Sequence, residues 1–195
     1  IKKIRHGKNI ILEIEPKESL CVKKGDSIAV DGVCLTVIKH DKNTVWFELI
    51  PQTWKLTRFQ EVKMGDVINL EKALTLRDYL DGNLLMGHVD GTTVITATNK
   101  KNLRMMEFAT PPDLRKFIAL RGGISINGVS LTVSHMTEKT FSVSLTDYTI
   151  KHTNLGSLKT HDKVNLEVDM MGRYLDNLLK YQTPRGEAYC KYHNS

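Results

Sequence analysis

Two short peptides in this chain set a thiol and a hydroxyl in the same surroundings. Gly32-Val-Cys-Leu-Thr-Val37 carries Cys34 and Gly128-Val-Ser-Leu-Thr-Val133 carries Ser130. In each, a threonine (Thr36, Thr132) follows two residues later, on the same side of an extended strand. A cysteine in an apolar strand is ordinarily a small buried filler, and a strand threonine ordinarily reflects β propensity. Recurrence of both in both peptides instead suggests a paired polar wall. His88, within Gly87-His88-Val89, is the best general acid or base, because an imidazole titrates near neutrality. The other histidines, at 6, 40, 135, 152, 161 and 193, show no HExxH or comparable spacing, so no catalytic metal is predicted.

The elements that must position these groups follow from an internal repeat. Ser27-Ile-Ala-Val-Asp-Gly-Val-Cys-Leu-Thr-Val37 aligns without a gap on Gly123-Ile-Ser-Ile-Asn-Gly-Val-Ser-Leu-Thr-Val133, a register of 96 residues. The same register pairs Pro16 with Pro112, Thr53 with Thr149 and Asn69-Leu-Glu71 with Asn165-Leu-Glu167. The chain is therefore read as a duplicated domain. Asp31-Gly32 and Asn127-Gly128 supply the positive φ angles of type I′ hairpin turns, flanked by period-2 apolar alternation. Further strands are expected at Thr44 to Ile50 and Val67 to Lys72, and again at Thr140 to Thr146 and Lys163 to Val168, spaced as a small barrel requires. A short helix is expected before each hairpin, opened in the second copy by Pro111 and Pro112. Met86 to Thr96 would start the second barrel. Its partner falls before Ile1, so the first strand of the first copy is missing from the sequence, and the lack of an initiator Met favours residues ahead of Ile1. Beyond Asp169, Tyr174, Leu175, Leu178 and Leu179 recur at helical spacing. They predict an amphipathic helix that packs on another surface, such as another subunit. The expected division is 1–83 for the first barrel and linker, 84–169 for the second barrel, and 170–195 for a helix and a loosely ordered tail.

Composition bounds the function. With 195 residues and 41% apolar content the chain can bury substantial cores. The net charge is +6, but Lys2-Lys3, Lys23-Lys24 and Lys100-Lys101 are scattered and not interleaved with aromatic residues, which argues against nucleic-acid binding. Three cysteines without a CxxC pair favour a reducing compartment over a disulfide framework. No apolar run is long enough to span a bilayer, and the start lacks the apolar core of a signal peptide. A soluble cytoplasmic protein is expected.

The paired Gly-Val-Cys/Ser-Leu-Thr-Val peptides resemble the riboflavin synthase family, alpha-subunit type. So do the Asn-Leu-Glu boxes, Gly87-His-Val-Asp-Gly91, and Val164-Asn-Leu-Glu-Val-Asp169 leading into Met-Gly-Arg-Tyr174. The resemblance covers nearly the whole chain. It implies an all-β fold of two tandem six-stranded Greek-key barrels plus a C-terminal helix, assembled as a homotrimer. Each active site would lie between the first barrel of one subunit and the second barrel of its neighbour. The implied reaction is dismutation of two 6,7-dimethyl-8-ribityllumazine molecules to riboflavin and 5-amino-6-(D-ribitylamino)uracil, without cofactor or metal. His88, Cys34, Ser130 and Asp169 would be catalytic. Ser27, Thr36, Thr53, Arg121, Thr132 and Thr149 would bind substrate. Asp169 stands where the first copy has Ala73, and is a partner for Ser130 or for the ribityl hydroxyls. Arg121 stands where relatives commonly carry Lys; it keeps the charge but is a poor proton carrier, so its role would be ligand anchoring. Asp81-Gly82-Asn83 replaces the family's Gly-Gly-His, and Met86 also departs. Association with a lumazine synthase is a further implied partnership. A non-catalytic lumazine- or flavin-binding protein of the same fold is the alternative; such proteins tend to lose one pocket, whereas both Cys34/Thr36 and Ser130/Thr132 are intact here.

Overall fold

The turn residues behave as their types require. Asp31, Gly32, Asn127 and Gly128 all have positive φ, at 45°, 77°, 48° and 81°. Each turn joins two strands of a six-stranded antiparallel unit in a computed structural model that describes residues 1–80, 82–98 and 104–182. The first unit holds β1 (Lys3–His6), β2 (Ile10–Ile14), β3 (Ser27–Val30), β4 (Val33–His40), β5 (Val45–Leu49) and β6 (Leu70–Lys72), in sheet order β1-β2-β5-β4-β3-β6. The second holds β7 (Gly91–Thr98), β8 (Met105–Ala109), β9 (Gly123–Ile126), β10 (Val129–Met136), β11 (Thr140–Ser144) and β12 (Lys163–Val168), closed as β10-β11-β8-β7-β12-β9. The first strand expected to be missing from the first copy is present in short form, because β1 pairs with β2 as β7 does with β8; replacing each strand by its copy, the first order is the second opened between β1 and β6. There Gly65 N–H donates to Ile1 O (2.9 Å).

Period-2 alternation sorts the side chains. Val33, Leu35 and Val37 are buried while Cys34 and Thr36 are exposed; Leu131 and Val133 are buried while Ser130 and Thr132 are exposed. Each unit has its own core. Phe47 and Phe59 are completely buried in the first, and Phe108 and Phe141 stack at 5.3 Å in the second. The pairing slips at the same place in both copies, between Val37 and Lys39 and between Val133 and His135.

Three expectations are corrected. The strand expected from Val67 begins at Leu70: Lys163–Leu166 of the second copy are laddered to β7, whereas β6 is laddered to β3 over Leu70–Lys72. Only the second copy has a helical turn before its hairpin, a 3-10 turn at Pro112–Phe117. There Asp113 sits at the positive end of the turn, where the first copy has Lys17, a charge of the unfavourable sign. Two six-residue helices, α1 (Pro51–Leu56) and α2 (Asp147–His152), were not anticipated; Pro51 starts one, and the Thr146 side chain caps the other by accepting Thr149 N–H. The amphipathic helix is α3 (Met170–Gln182), with Tyr174, Leu175, Leu178 and Leu179 all more than half exposed. The expected loose tail from Thr183 lies outside the described residues.

The two units meet turn to turn. A Cβ on Gly32 would stand 2.6 Å from Gly128 N, and one on Gly128 2.7 Å from Gly32 N. Around this contact the hydrogen bonds recur in twofold fashion. Arg58 N–H donates to Asn165 Oδ1 (2.7 Å) as Asn154 N–H does to Asn69 Oδ1 (2.8 Å). Asn165 Nδ2 donates to Asp31 O as Asn69 Nδ2 does to Asn127 O, each at 2.9 Å. Asn69 N–H donates to Asp31 Oδ1 as Asn165 N–H does to Asn127 Oδ1, each at 2.8 Å. Charge breaks the symmetry. Asp31 and Arg58 stand where the second copy has Asn127 and Asn154, and Arg58 Nε lies 3.0 Å from Asp31 Oδ2 without pointing at it. Burial pushes the Asp31 carboxyl up to about 6, against the opposing pull of Arg58 and of the hydrogen bonds from Asn69 and Asn154.

Removing one partner of this buried pair leaves the other unpaired, so Arg58→Ala is expected to cost about 3 kcal/mol, while the double variant Asp31→Asn/Arg58→Asn, which copies the other repeat, recovers most of it. Because the folded chain holds the Asp31 proton up to about 6 and the unfolded chain only to 3.8, stability falls as pH rises through that window. Urea midpoints from about pH 4 to about pH 7 should show this slope in the parent and lack it in Asp31→Asn.

Candidate functional site

The outward faces of the hairpins carry the polar residues in rows set by strand register. In the first unit, Ala29 pairs with both Cys34 and Glu71, making one row; Ser27 pairs with Thr36, and Ala73 N–H donates to Ser27 O, making the next. In the second, Ser125 pairs with Ser130 and Glu167, and Gly123 pairs with Thr132. Asp169 follows Val168, the last residue paired to β9, and ends the row of Gly123 and Thr132. Cys34, Thr36 and Ser27 therefore share one surface, and Ser130, Thr132 and Asp169 share its copy. Cys34 is exposed, so the filler reading fails: the strand turns its valines and leucine inward and its thiol outward.

His88 joins the first of these surfaces. Gly87 O accepts the Cys34 N–H at 2.9 Å. Gly87 has φ +71°, and a Cβ there would stand 2.8 Å from Cys34 Cβ and 3.0 Å from its backbone nitrogen. Only glycine lets this backbone lie on Cys34, which sets the exposed His88 beside the thiol strand. Upstream, the Asn83 carboxamide lies over Gly123, where a Cβ would meet Asn83 Nδ2 at 2.7 Å. Asn83, noted in the sequence only as a departure, thus belongs to the Thr132 row.

Arg121 has φ +66°, and its N–H donates to Val133 O at 2.9 Å, just as Gly25 at φ +96° donates to Val37 O at 2.9 Å. A bulky residue in this left-handed turn is uncommon and costs energy that the fold of the first copy avoids with glycine. Thr53 and Thr149 lie elsewhere, in α1 and α2: Thr53 O accepts Thr57 Oγ1, and Thr149 Oγ1 bonds Thr146 Oγ1. An open hollow of about 450 Å³ on α1 is lined by Gln52, Lys55 and Leu56 and by no residue of the rows. Cys34, Thr36, Ser130 and Thr132 are exposed in the single chain, whereas Ser125 and Glu167 of the second row are buried. Among the described residues no three His, Cys, Asp or Glu side chains cluster as metal ligands would, and no helix is long and apolar enough to cross a membrane.

Duplicated six-stranded units with matching polar rows define a class, the tandem lumazine-binding-domain proteins; the model of that domain, "Lumazine binding domain", matches residues 1–73 and again 86–169. The riboflavin synthase of Bacillus subtilis (strain 168) is 39% identical over 159 residues, which are 81% of this chain and 74% of that protein. That of Brucella abortus (strain 2308) is 34% identical over 191 residues, 93% of both chains. Among solved structures, LumP complexed with riboflavin superposes with a TM-score of 0.79 at 28% identity, covering 86% of this chain and 93% of the other. LumP complexed with 6,7-dimethyl-8-(1'-D-ribityl) lumazine gives 0.75 at 27% identity, covering 86% and 92%. The chain belongs to the riboflavin synthase family.

Gly87→Ala is expected to cost about 1–3 kcal/mol, since it adds both a strained left-handed φ and an overlap with Cys34. Chemical denaturation against Gly82→Ala, where a Cβ meets nothing within 4 Å, measures the difference.

Proposed function

We propose that this protein is a riboflavin synthase. It is read as a cytoplasmic, cofactor-free transferase converting two molecules of 6,7-dimethyl-8-ribityllumazine to riboflavin and 5-amino-6-(D-ribitylamino)uracil, the last step of riboflavin biosynthesis. The observation that carries the reading is the pair of outward polar rows, one per copy, on a chain 34–40% identical to riboflavin synthases over most of its length. Four carbons pass from one lumazine to the other with no net oxidation, so no electron carrier is required.

Within this reading His88 removes the proton from the 7-methyl group of the donor. Cys34 and Ser130 contact the ring or deliver the nucleophile that adds to it, and Asp169 supports Ser130 or the ribityl chain. Ser27, Thr36 and Thr132 lie in the same rows and bind ring edges. Thr53 and Thr149 contribute from α1 and α2. The strain held at Arg121 supports an anchoring role for its guanidinium. Holding two ligands in stacked registry supplies most of the acceleration, because general acid–base help contributes only about 10² to 10⁴.

Cys34, Thr36, Ser130, Thr132 and Asp169 are exposed in the single chain, and α3 presents an uncovered apolar stripe. Both features support a homotrimer in which the first-copy row of one subunit, within 1–83, faces the second-copy row of a neighbour, within 84–169, and the helix of 170–195 holds the assembly. A lumazine synthase shell would be an additional partner.

Incubation with the lumazine should consume two molecules for each riboflavin formed, followed by absorbance; binding without turnover would instead identify a non-catalytic lumazine carrier. His88→Ala should lower kcat by about 10² to 10⁴. Leu175→Glu with Leu179→Glu should shift the mass seen by light scattering from trimer to monomer and abolish turnover.

A further inference from the structure

The segment 86–90, which carries His88, is held by groups from both units. At its start Met86 N–H donates to Glu167 Oε1 at 2.9 Å. At its end Asp90 N–H donates to Leu166 O (2.9 Å), while Asp90 Oδ2 accepts Val168 N–H (2.8 Å). In between, Gly87 O holds Cys34 N–H and Val89 is buried in the first unit's core. The two carboxylates at the ends converge on one cation from α3: Arg173 Nη1 lies 3.1 Å from Asp90 Oδ1 and Nη2 lies 4.0 Å from Glu167 Oε1.

This cluster is not a solvated surface pair. The Glu167 side chain is 3% exposed and that of Asp90 11%. Glu167 Oε2 is buried without a hydrogen-bond partner, while Oε1 accepts Met86 N–H and faces Arg173 Nη2, the cation within 4.0 Å among the described residues. The 86–90 segment lies on Glu167 directly, through the Met86 N–H at its carboxylate and Asp90 N–H at the neighbouring Leu166 O.

We propose that Arg173 is a positioning residue for His88: by drawing Asp90 and Glu167 together it fixes both ends of the segment 86–90 and so sets the imidazole against the Cys34 strand. The forked guanidinium suits the task, since one point charge cannot align with both carboxylates at once. The proposal rests on the reading of His88 as the base.

The test is a double-mutant cycle in the full chain with the lumazine as substrate. Arg173→Ala should lower kcat at least tenfold with KM within about threefold, and add nothing to the loss already caused by His88→Ala. Amide exchange across 84–91 should quicken tenfold or more in Arg173→Ala, while β5 and β11 keep their protection. Arg173→Lys should fall between parent and Arg173→Ala in both measures, and it carries the same test if the alanine variant fails to fold. Additive losses in the cycle, or unchanged exchange across 84–91, would overturn the proposal. Full activity of His88→Ala would remove the base assignment instead, and faster exchange would then still establish the clamp, so the two failures are separable.

Discussion

Two turns can touch backbone to backbone only where neither carries a side chain, and the rest of this molecule is arranged around that contact. Gly32 and Gly128 each exclude a Cβ because the other's nitrogen already stands within 2.6–2.7 Å of where it would be. Cys34 lies two residues beyond the first glycine and Ser130 two residues beyond the second. The hairpin geometry that brings the glycines together therefore also fixes where the two polar rows begin relative to one another. The asparagine amides complete the constraint, since each satisfies a backbone group of the opposite turn that would otherwise be buried unpaired.

A neutral version of the junction exists within the same chain, in Asn127 and Asn154, so the Asp31–Arg58 pair is not demanded by the geometry. It places a carboxylate with no exposure beside a guanidinium that is itself buried, a costly arrangement unless both remain paired. What it adds is inequality. Within the second unit Asn127 Nδ2 reaches Asn154 Oδ1 at 3.4 Å, where the first unit sets Arg58 Nε 3.0 Å from Asp31 Oδ2, and Asn154 Nδ2 donates across the junction to Asp31 Oδ1 at 2.9 Å.

Legibility in the sequence followed the range of the interactions concerned. Hairpins, strand alternation and duplication depend on neighbours and on a constant register, and all were readable from residues such as Asn127-Gly128 and Leu131/Val133. The outward direction of Cys34 was implicit in that same alternation, although the residue's average preference for burial argued the other way. The six-residue helices α1 and α2 were not readable, because one and a half turns leave no periodicity and a single proline or threonine sets their start. Least readable was the route of the linker. Met86 and Glu167 lie 81 residues apart, and the identical Asn-Leu-Glu boxes give no hint that one glutamate is covered and the other bare. The roles of the row residues came from family likeness, whereas their grouping into rows came from register.

A reaction between two molecules of one compound poses a physical demand that duplication alone does not meet. Identical reactants in identical surroundings have no reason to differ, so one cannot be consistently the donor and the other the acceptor. The two rows share some residues and differ in others, and on the proposed reading the differences would separate the fates of the two ligands. Thr36 and Thr132 are preserved, able to hold the same ring edge in both copies. Around them Cys34 faces Ser130 in register, Ala29 faces Ser125, Ser27 faces Gly123, and Ala73 faces Asp169. The first row has the Gly87 backbone on Cys34, with His88 the next residue, while the second has a carboxylate at Asp169 and the Asn83 amide over Gly123. On the proposed reading, an imidazole beside one ring and hydroxyl or carboxylate oxygens beside the other would favour opposite charge developments, which is the asymmetry that a dismutation requires.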